Sequence, residues 1–135
     1  MILLVDNENR LDAYVEKIPE TAWSLIEYAE NPLTIVFDKA KNLPLNLIAA
    51  DGSIAIRVTR DEFSQKLSER LRKPLVSTSA NISGEEFPTG FYEIDERIKA
   101  GVDYVVDWRQ EEKNECKPST IIRLKTNGQF EFIRK

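Results

Sequence analysis

The 135-residue sequence contains no histidine and only one cysteine, Cys116. The missing histidine excludes Ser-His and Cys-His nucleophilic systems and removes the commonest zinc ligand. A single cysteine excludes an internal disulfide and, without histidine, argues against a structural zinc site. Cys116 lies in a stretch of charged residues that we predict to be a loop, and we interpret it as incidental. Catalysis by this chain would therefore have to depend on positioning and electrostatics, as phosphoryl and nucleotidyl transfer do.

Long apolar runs and an excess of basic residues are also missing. The apolar run at residues 1–5 ends at Asp6 and is too short for a signal sequence or a membrane span. The formal net charge is −4, so the chain as a whole does not attract RNA electrostatically. We therefore expect a cytoplasmic protein that does not bind membranes.

The remaining composition is that of a globular domain, with 41% hydrophobic and 31% charged residues. We predict a single domain of the α/β or α+β class, with a mixed twisted sheet, because strands and helices alternate early and strands cluster late. The Asn127-Gly128 turn predicts a C-terminal hairpin. The other predicted strands are residues 2–5, 33–37, 53–59 and 102–108.

Helix predictions depend on apolar spacing and on capping residues. Apolar residues at helical spacing predict a helix over residues 11–18 and a second helix after Pro19. The residues at 59–62 have the pattern of a capping box, with Thr59 as the N-cap. The helix that follows is predicted to place Phe63, Leu67 and Leu71 toward the core.

A polar stretch follows the predicted strand end at residues 75–76. Ser77, Ser79 and Asn81 would share one face if the strand continued, and a glycine follows at position 84. Hydroxyls and free backbone N–H groups that point the same way suit an oxyanion ligand. The alternative is a turn rich in serine and asparagine, stabilised by local hydrogen bonds.

Arg57 lies in the middle of the predicted strand at 53–59, on the same face as Ser53 and Ala55. Small neighbours leave space above the guanidinium for a carboxylate or carbonate held by two hydrogen bonds. The alternative is an ordinary solvent-facing arginine.

Four sequence motifs occur in the order found in a known family. The string PLVSTSANISG at 74–84 resembles the signature of the YrdC-like family, the threonylcarbamoyl-adenylate synthases. The strings NPLTIV at 31–36, DGSIAIRV at 51–58 and KPSTII at 117–122 resemble three further strands of that family. The resemblance implies a YrdC-like fold.

The resemblance also implies a reaction. Members of this family join L-threonine, bicarbonate and ATP into threonylcarbamoyl-adenylate, usually with Mg²⁺, and partner proteins then modify an adenosine of tRNA. Transferred by motif position, the threonine-binding residues would be Arg57, Ser77 and Ser119. The residues that line the ATP and phosphate region would be Ser53, Ser79, Asn81 and Arg134.

Two family motifs for ATP and threonine, a T-[ED]-T-x-[YW]-G-[LI] segment and a Lys-x-Arg cluster, do not occur in this sequence. We therefore expect residues 1–135 to be an N-terminally incomplete YrdC-like domain that is inactive alone. The chain would be a fragment, a sequence with a late start or a shortened relative. The strand at residues 2–5 would then lack its upstream neighbour and expose apolar surface, which predicts either a homodimer or an aggregation-prone monomer with weak nucleotide binding at best.

Two other functions are compatible with the same fold. The first is a non-catalytic module that binds double-stranded RNA or tRNA and resembles a translation factor, although the acidic balance argues against it. The second is action on sugar phosphates, because the fold resembles that of a riboflavin-pathway synthase. That family uses a histidine, which this chain does not contain.

Overall fold

A mixed six-stranded sheet dominates the computed structural model, which describes residues 1–112 and 118–135. The strands have the order β4-β1-β3-β2-β5-β6 across the sheet. β1 pairs with β3 and β2 with β5 in parallel, and the other neighbours are antiparallel. Their bounds are β1 Ile2–Val5, β2 Leu33–Phe37, β3 Ile54–Val58, β4 Leu75–Ser77, β5 Thr120–Leu124 and β6 Phe130–Arg134.

Three α-helices occur in the described residues, α1 Glu20–Glu27, α2 Glu62–Leu71 and α3 Glu96–Gly101. Short 3-10 helices cover Glu8–Ala13, Leu45–Leu47 and Phe91–Glu93. Within the described ranges, none of the helices has the length and apolar character that a membrane crossing requires.

The chain divides into two compact units. The sheet unit comprises Met1–Ser77 and Ser119–Lys135 and contains all six strands with α1 and α2. The inserted unit comprises Thr78–Pro118 and contains α3. The single, N-terminally incomplete domain stays a prediction.

The core of the sheet unit lies on one face of the sheet. Alternating apolar residues of the strands meet apolar residues of α1 and of the residues around the first 3-10 helix, as the sequence period predicts. The buried cluster is Leu3, Val5, Leu11, Val15, Ala22, Ile35, Phe37, Ile54, Ile56, Ile122 and Leu124.

β1 is paired on both sides, which contradicts the expectation that its edge would be open. It lies between β3 and β4, and its last three residues are buried. In the described part of the sheet the free edges are instead β4 and β6. A dimer formed through the edge of β1 is therefore excluded by the strand order.

The helix predicted over residues 11–18 is wrong. Only Glu8–Ala13 is helical, as a 3-10 helix, and Val15 forms an isolated bridge with Ala40. The reason is long-range pairing, since Glu16 donates its backbone N–H to the carbonyl of Lys39. Local periodicity does not reveal such a partner.

The predicted start of α2 is also wrong by two residues. Asp61, not Thr59, is the N-cap, because its carboxylate accepts from the backbone N–H and the hydroxyl of Ser64. Thr59 donates its backbone N–H to Val5 instead. Leu67 and Leu71 are exposed, contrary to the prediction for α2.

The strand predicted at residues 102–108 does not form, and these described residues are irregular and exposed. Valine and tyrosine favour strands only where a neighbouring strand pairs with them, and none does here. The predicted hairpin is confirmed, because β5 and β6 pair antiparallel across Gly128, whose φ is +90°. Cys116 lies outside the described residues.

The turn before β3 carries a carboxylate with a shifted pKa. Hydrogen bonds from the hydroxyl and the backbone N–H of Ser53, with a further one from Arg123, lower the pKa of Asp51 from 3.8 to about 2. A carboxyl whose pKa is lower in the folded state stabilises the fold above its unfolded pKa. This contribution disappears as the pH falls from about 4 to about 2.

Asp51→Asn should therefore lower the melting temperature at pH 5 to 7, and the difference from wild type should shrink toward pH 2. Thermal unfolding followed by circular dichroism across this range tests the prediction. Asp103→Asn, at an exposed carboxylate in the irregular segment, serves as the control. An Asp51→Asn difference that is independent of pH would contradict the assignment.

Candidate functional site

Arg57 lies near the end of β3, on the sheet face opposite the main core. Its register partner Leu4 on β1 shares that face, and so does Ser77, which pairs with Ile2. Arg57 is half-buried, and among the described residues its guanidinium has no hydrogen bond or ion pair. A half-buried cation without a partner is energetically costly, so the site favours an anionic ligand.

Arg57 and Ser77 line one cavity of about 380 Å³. The cavity lies at the end of the sheet where β3 ends and β2 begins, and its wall includes Ile26 of α1 and Ala29, two residues after that helix. Arg60 holds this wall in place, because its guanidinium donates to the backbone carbonyls of both residues. This role of Arg60 was not predicted from the sequence. The last carbonyl groups of a helix have no donor within the helix, and this requirement is the signal from which a donor such as Arg60 could have been predicted.

A second cationic group lies farther across the same face. Arg134 at the end of β6 donates from Nε to the Ser119 carbonyl at 3.0 Å and from a terminal nitrogen to Ser119 Oγ at 3.4 Å. Ser119 Oγ lies 2.8 Å from Thr34 Oγ1, and both residues are buried. The predicted Ser119 and Arg134 are therefore brought together. Thr34 was not predicted as a site residue.

The two arginines influence each other electrostatically. Burial lowers the pKa of Arg57, and the positive charge of Arg134 lowers it further. Their strands are three strand spacings apart, about 14 Å between backbones. A ligand with negative charge would relieve the repulsion between the two guanidinium groups.

Ser53 is not part of this group. It precedes β3, about 13 Å from Arg57 at the rise of a strand, and its hydroxyl donates to Asp51 at 2.6 Å. Its predicted contact with ATP stays a prediction.

Ser79 and Asn81 belong to the inserted unit. β4 ends at Ser77, so the strand does not continue and the predicted shared face of Ser77, Ser79 and Asn81 does not form. Ser79 is exposed. Asn81 Nδ2 donates to the carbonyls of Ile82 and Glu85, whereas its Oδ1 is buried and accepts no hydrogen bond from the described residues. A buried acceptor without a partner is costly, which suits an N–H or O–H group of a ligand.

A divalent metal ion held by protein side chains usually has several carboxylate, thiol or imidazole ligands close together. Residues 1–112 and 118–135 contain no group of three carboxylate or thiol side chains that could hold one. The Mg²⁺ implied by the resemblance therefore does not fit a ligand set made of these side chains.

Comparison with known proteins places the chain in a family. The Sua5/YciO/YrdC family model, described as "Telomere recombination", matches residues 1–135. The chain is 36% identical over 126 residues to a putative threonylcarbamoyl-AMP synthase of Methanocaldococcus jannaschii, covering 90% of this chain and 56% of the relative. It is 35% identical over 124 residues to a threonylcarbamoyl-AMP synthase of Pseudoalteromonas translucida, covering 90% and 65%.

Solved structures share the fold. E. coli YciO superposes with a TM-score of 0.81 at 24% identity, covering 99% of this chain and 64% of that chain. Sua5 of Pyrococcus abyssi complexed with L-threonine gives 0.80 at 24% identity, covering 98% and 38%. These matches confirm the predicted α/β fold with a mixed sheet, although the chain spans only 56% and 65% of the two curated relatives. The family model and the two relatives confirm the motif assignment, and the chain belongs to the Sua5/YciO/YrdC family.

Proposed function

We propose that this chain provides the amino-acid pocket of an L-threonylcarbamoyladenylate synthase. The observation that carries the proposal is Arg57, a half-buried guanidinium without a described partner on the wall of a cavity large enough for an amino acid. A carboxylate would accept two parallel hydrogen bonds from this guanidinium. Ser77 lines the same cavity and would complete the contact with threonine.

The reaction needs no histidine. The threonine nitrogen attacks the carbon of bicarbonate, water leaves, and the product is a carbamate whose oxygen is already anionic. That oxygen attacks the α-phosphorus of ATP, and the bond from this phosphorus to the leaving pyrophosphate breaks. The rate of this step then depends on in-line placement of the attacking oxygen and on neutralisation of the negative charge. Both tasks suit arginine and hydroxyl groups.

The proposed contacts with ATP also depend on neutralisation of charge and on hydrogen bonds. Arg134 would neutralise phosphate charge from the end of β6, and Ser119 would contact the amino-acid moiety. Ser53, Ser79 and Asn81 would contact ATP, and the buried Oδ1 of Asn81 supports this for one of them. We assign Mg²⁺ to the phosphates of ATP rather than to side chains of this chain.

Partners and location also belong to the proposal. Bicarbonate would be the third substrate, and proteins of tRNA modification would consume the adenylate in the cytoplasm. Binding of tRNA or double-stranded RNA stays a prediction. A homodimer also stays a prediction, with β4 and β6 as the described strand edges that are free to pair.

Binding of L-threonine tests the proposal. The 135-residue chain should bind L-threonine saturably in isothermal titration calorimetry, and should bind L-threoninamide more weakly because the amide has no carboxylate for Arg57. Absence of saturable L-threonine binding up to about 10 mM would overturn the proposal. Equal affinity for the amide would remove the carboxylate contact from it.

A further inference from the structure

Thr34 is a buried hydroxyl without an assigned role. It lies on β2, has no exposed surface, and its Oγ1 is 2.8 Å from Ser119 Oγ. Thr34 pairs with Ile121 on β5, and Ile121 pairs with Arg134 on β6. Thr34 and Arg134 thus lie on the same face of the sheet, on either side of the Ser119 hydroxyl.

Either hydroxyl could donate in this contact, and the donors around Ser119 together with the exposure of the two residues favour one direction. A hydroxyl donates one proton and accepts at two lone pairs, and arginine donates only. Ser119 Oγ therefore accepts from Arg134. Whichever hydroxyl donates to the other, one of the two protons has no acceptor among the described residues. Such a proton is costly where it is fully buried, and Thr34 has no exposed surface whereas Ser119 keeps 4% of its surface exposed, so the unused proton is assigned to Ser119 and Thr34 is the donor.

Ser119 then accepts from both neighbours, which fills its two lone pairs and leaves its own proton available. No described residue accepts that proton. We propose that Thr34 is a positioning residue that fixes the Ser119 hydroxyl as a donor toward the carboxylate or carbamate of the ligand. The identity of that ligand rests on the proposed function.

This arrangement predicts selectivity as well as affinity. A hydroxyl whose lone pairs are both used offers only a proton, so it binds an oxygen anion and does not bind an N–H donor. The chain should therefore discriminate against ligands that present an amide N–H at this position. Without Thr34, the Ser119 hydroxyl could rotate and accept from such a group.

Thr34→Val tests the proposal because valine has nearly the same shape and no hydroxyl. By calorimetry, Thr34→Val should bind L-threonine about 10-fold more weakly, and the ratio of L-threonine to L-threoninamide affinity should fall. Thr34→Ser restores the hydroxyl and should recover both values. Urea unfolding of the variants checks the fold. Wild-type affinity in Thr34→Val, or failure of Thr34→Ser to recover, would overturn the proposal.

A second measurement separates this proposal from the proposed function. The Arg134 Nε–Hε signal in a ¹⁵N-labelled ligand-free chain should shift in Thr34→Val and return to its wild-type position in Thr34→Ser. Wild-type protein that does not bind L-threonine would overturn the proposed function, and the Arg134 signal would still decide the role of Thr34. An unchanged signal in Thr34→Val would refute that role whatever the ligand.

Discussion

Replacing Arg57 with alanine should weaken L-threonine binding by roughly 30- to 700-fold. The loss of a bidentate, charge-assisted contact costs about 2–4 kcal/mol when the ligand carboxylate is left without its partner in a partly buried site. Isothermal titration calorimetry measures the effect directly. Arg57→Lys should give an intermediate loss, because lysine keeps the charge and cannot make the two parallel bonds.

The fold should not depend on Arg57. Its guanidinium has no described partner, and burial and Arg134 both lower its pKa, so its charge does not stabilise the ligand-free protein. Arg57→Ala should therefore unfold in urea at the wild-type midpoint or slightly above it. Arg70→Ala, at an exposed position on α2, is the matched control for general charge effects. Equal affinities of Arg57→Ala and Arg70→Ala for L-threonine would remove Arg57 from the site.

Asp38→Ala should be the most destabilising of the surface-charge substitutions, with a loss of about 2–3 kcal/mol in unfolding free energy. Asp38 follows β2 and accepts two hydrogen bonds from Arg123 on β5, at 3.0 and 2.7 Å. It also accepts from the backbone N–H of Thr126 in the hairpin turn. Both charged side chains are only about a quarter exposed, so water replaces these contacts poorly.

Urea unfolding of Asp38→Ala measures this loss. The control is Glu62→Ala, which breaks the pair with Lys66 on α2. Both side chains of that pair are about two thirds exposed, and water screens an exposed helix pair so that its contribution to stability is small. If the two substitutions cost the same, the ion pair of Asp38 and Arg123 does not hold β2 and β5 together.

Most of the sheet could be predicted from local pattern. β1 and β2 are apolar runs, β3 alternates Ile54 and Ile56 with small or polar residues, and the Asn-Gly turn marks the hairpin. The segment at 102–108 has the same local character and is not a strand. A local pattern shows that a segment is able to form a strand. Strand formation also requires a second segment, distant in the sequence, that pairs with it.

The candidate site likewise contains a feature that could be predicted from local sequence and contacts that could not. Arg57 was predictable because its position on a strand between small residues is a local feature, and the family motif named its role. The link from Thr34 to Ser119 was not predictable, because the two hydroxyls are 85 positions apart. The hydrogen bonds from Arg60 to the carbonyl groups at the end of α1 likewise join residues about 30 positions apart.

The pairing of β2 with β5 determines when this part of the sheet can form while the chain is being translated. At roughly 5–20 residues per second, the 85 positions between Thr34 and Ser119 take about 4–17 seconds to translate. Through that interval one edge of β2 has no partner strand, and its apolar side chains can form non-native contacts. Ribosome-bound chains should therefore resist protease only after β5 has emerged. Protection of chains that end before β5 would show that β2 is sheltered in another way.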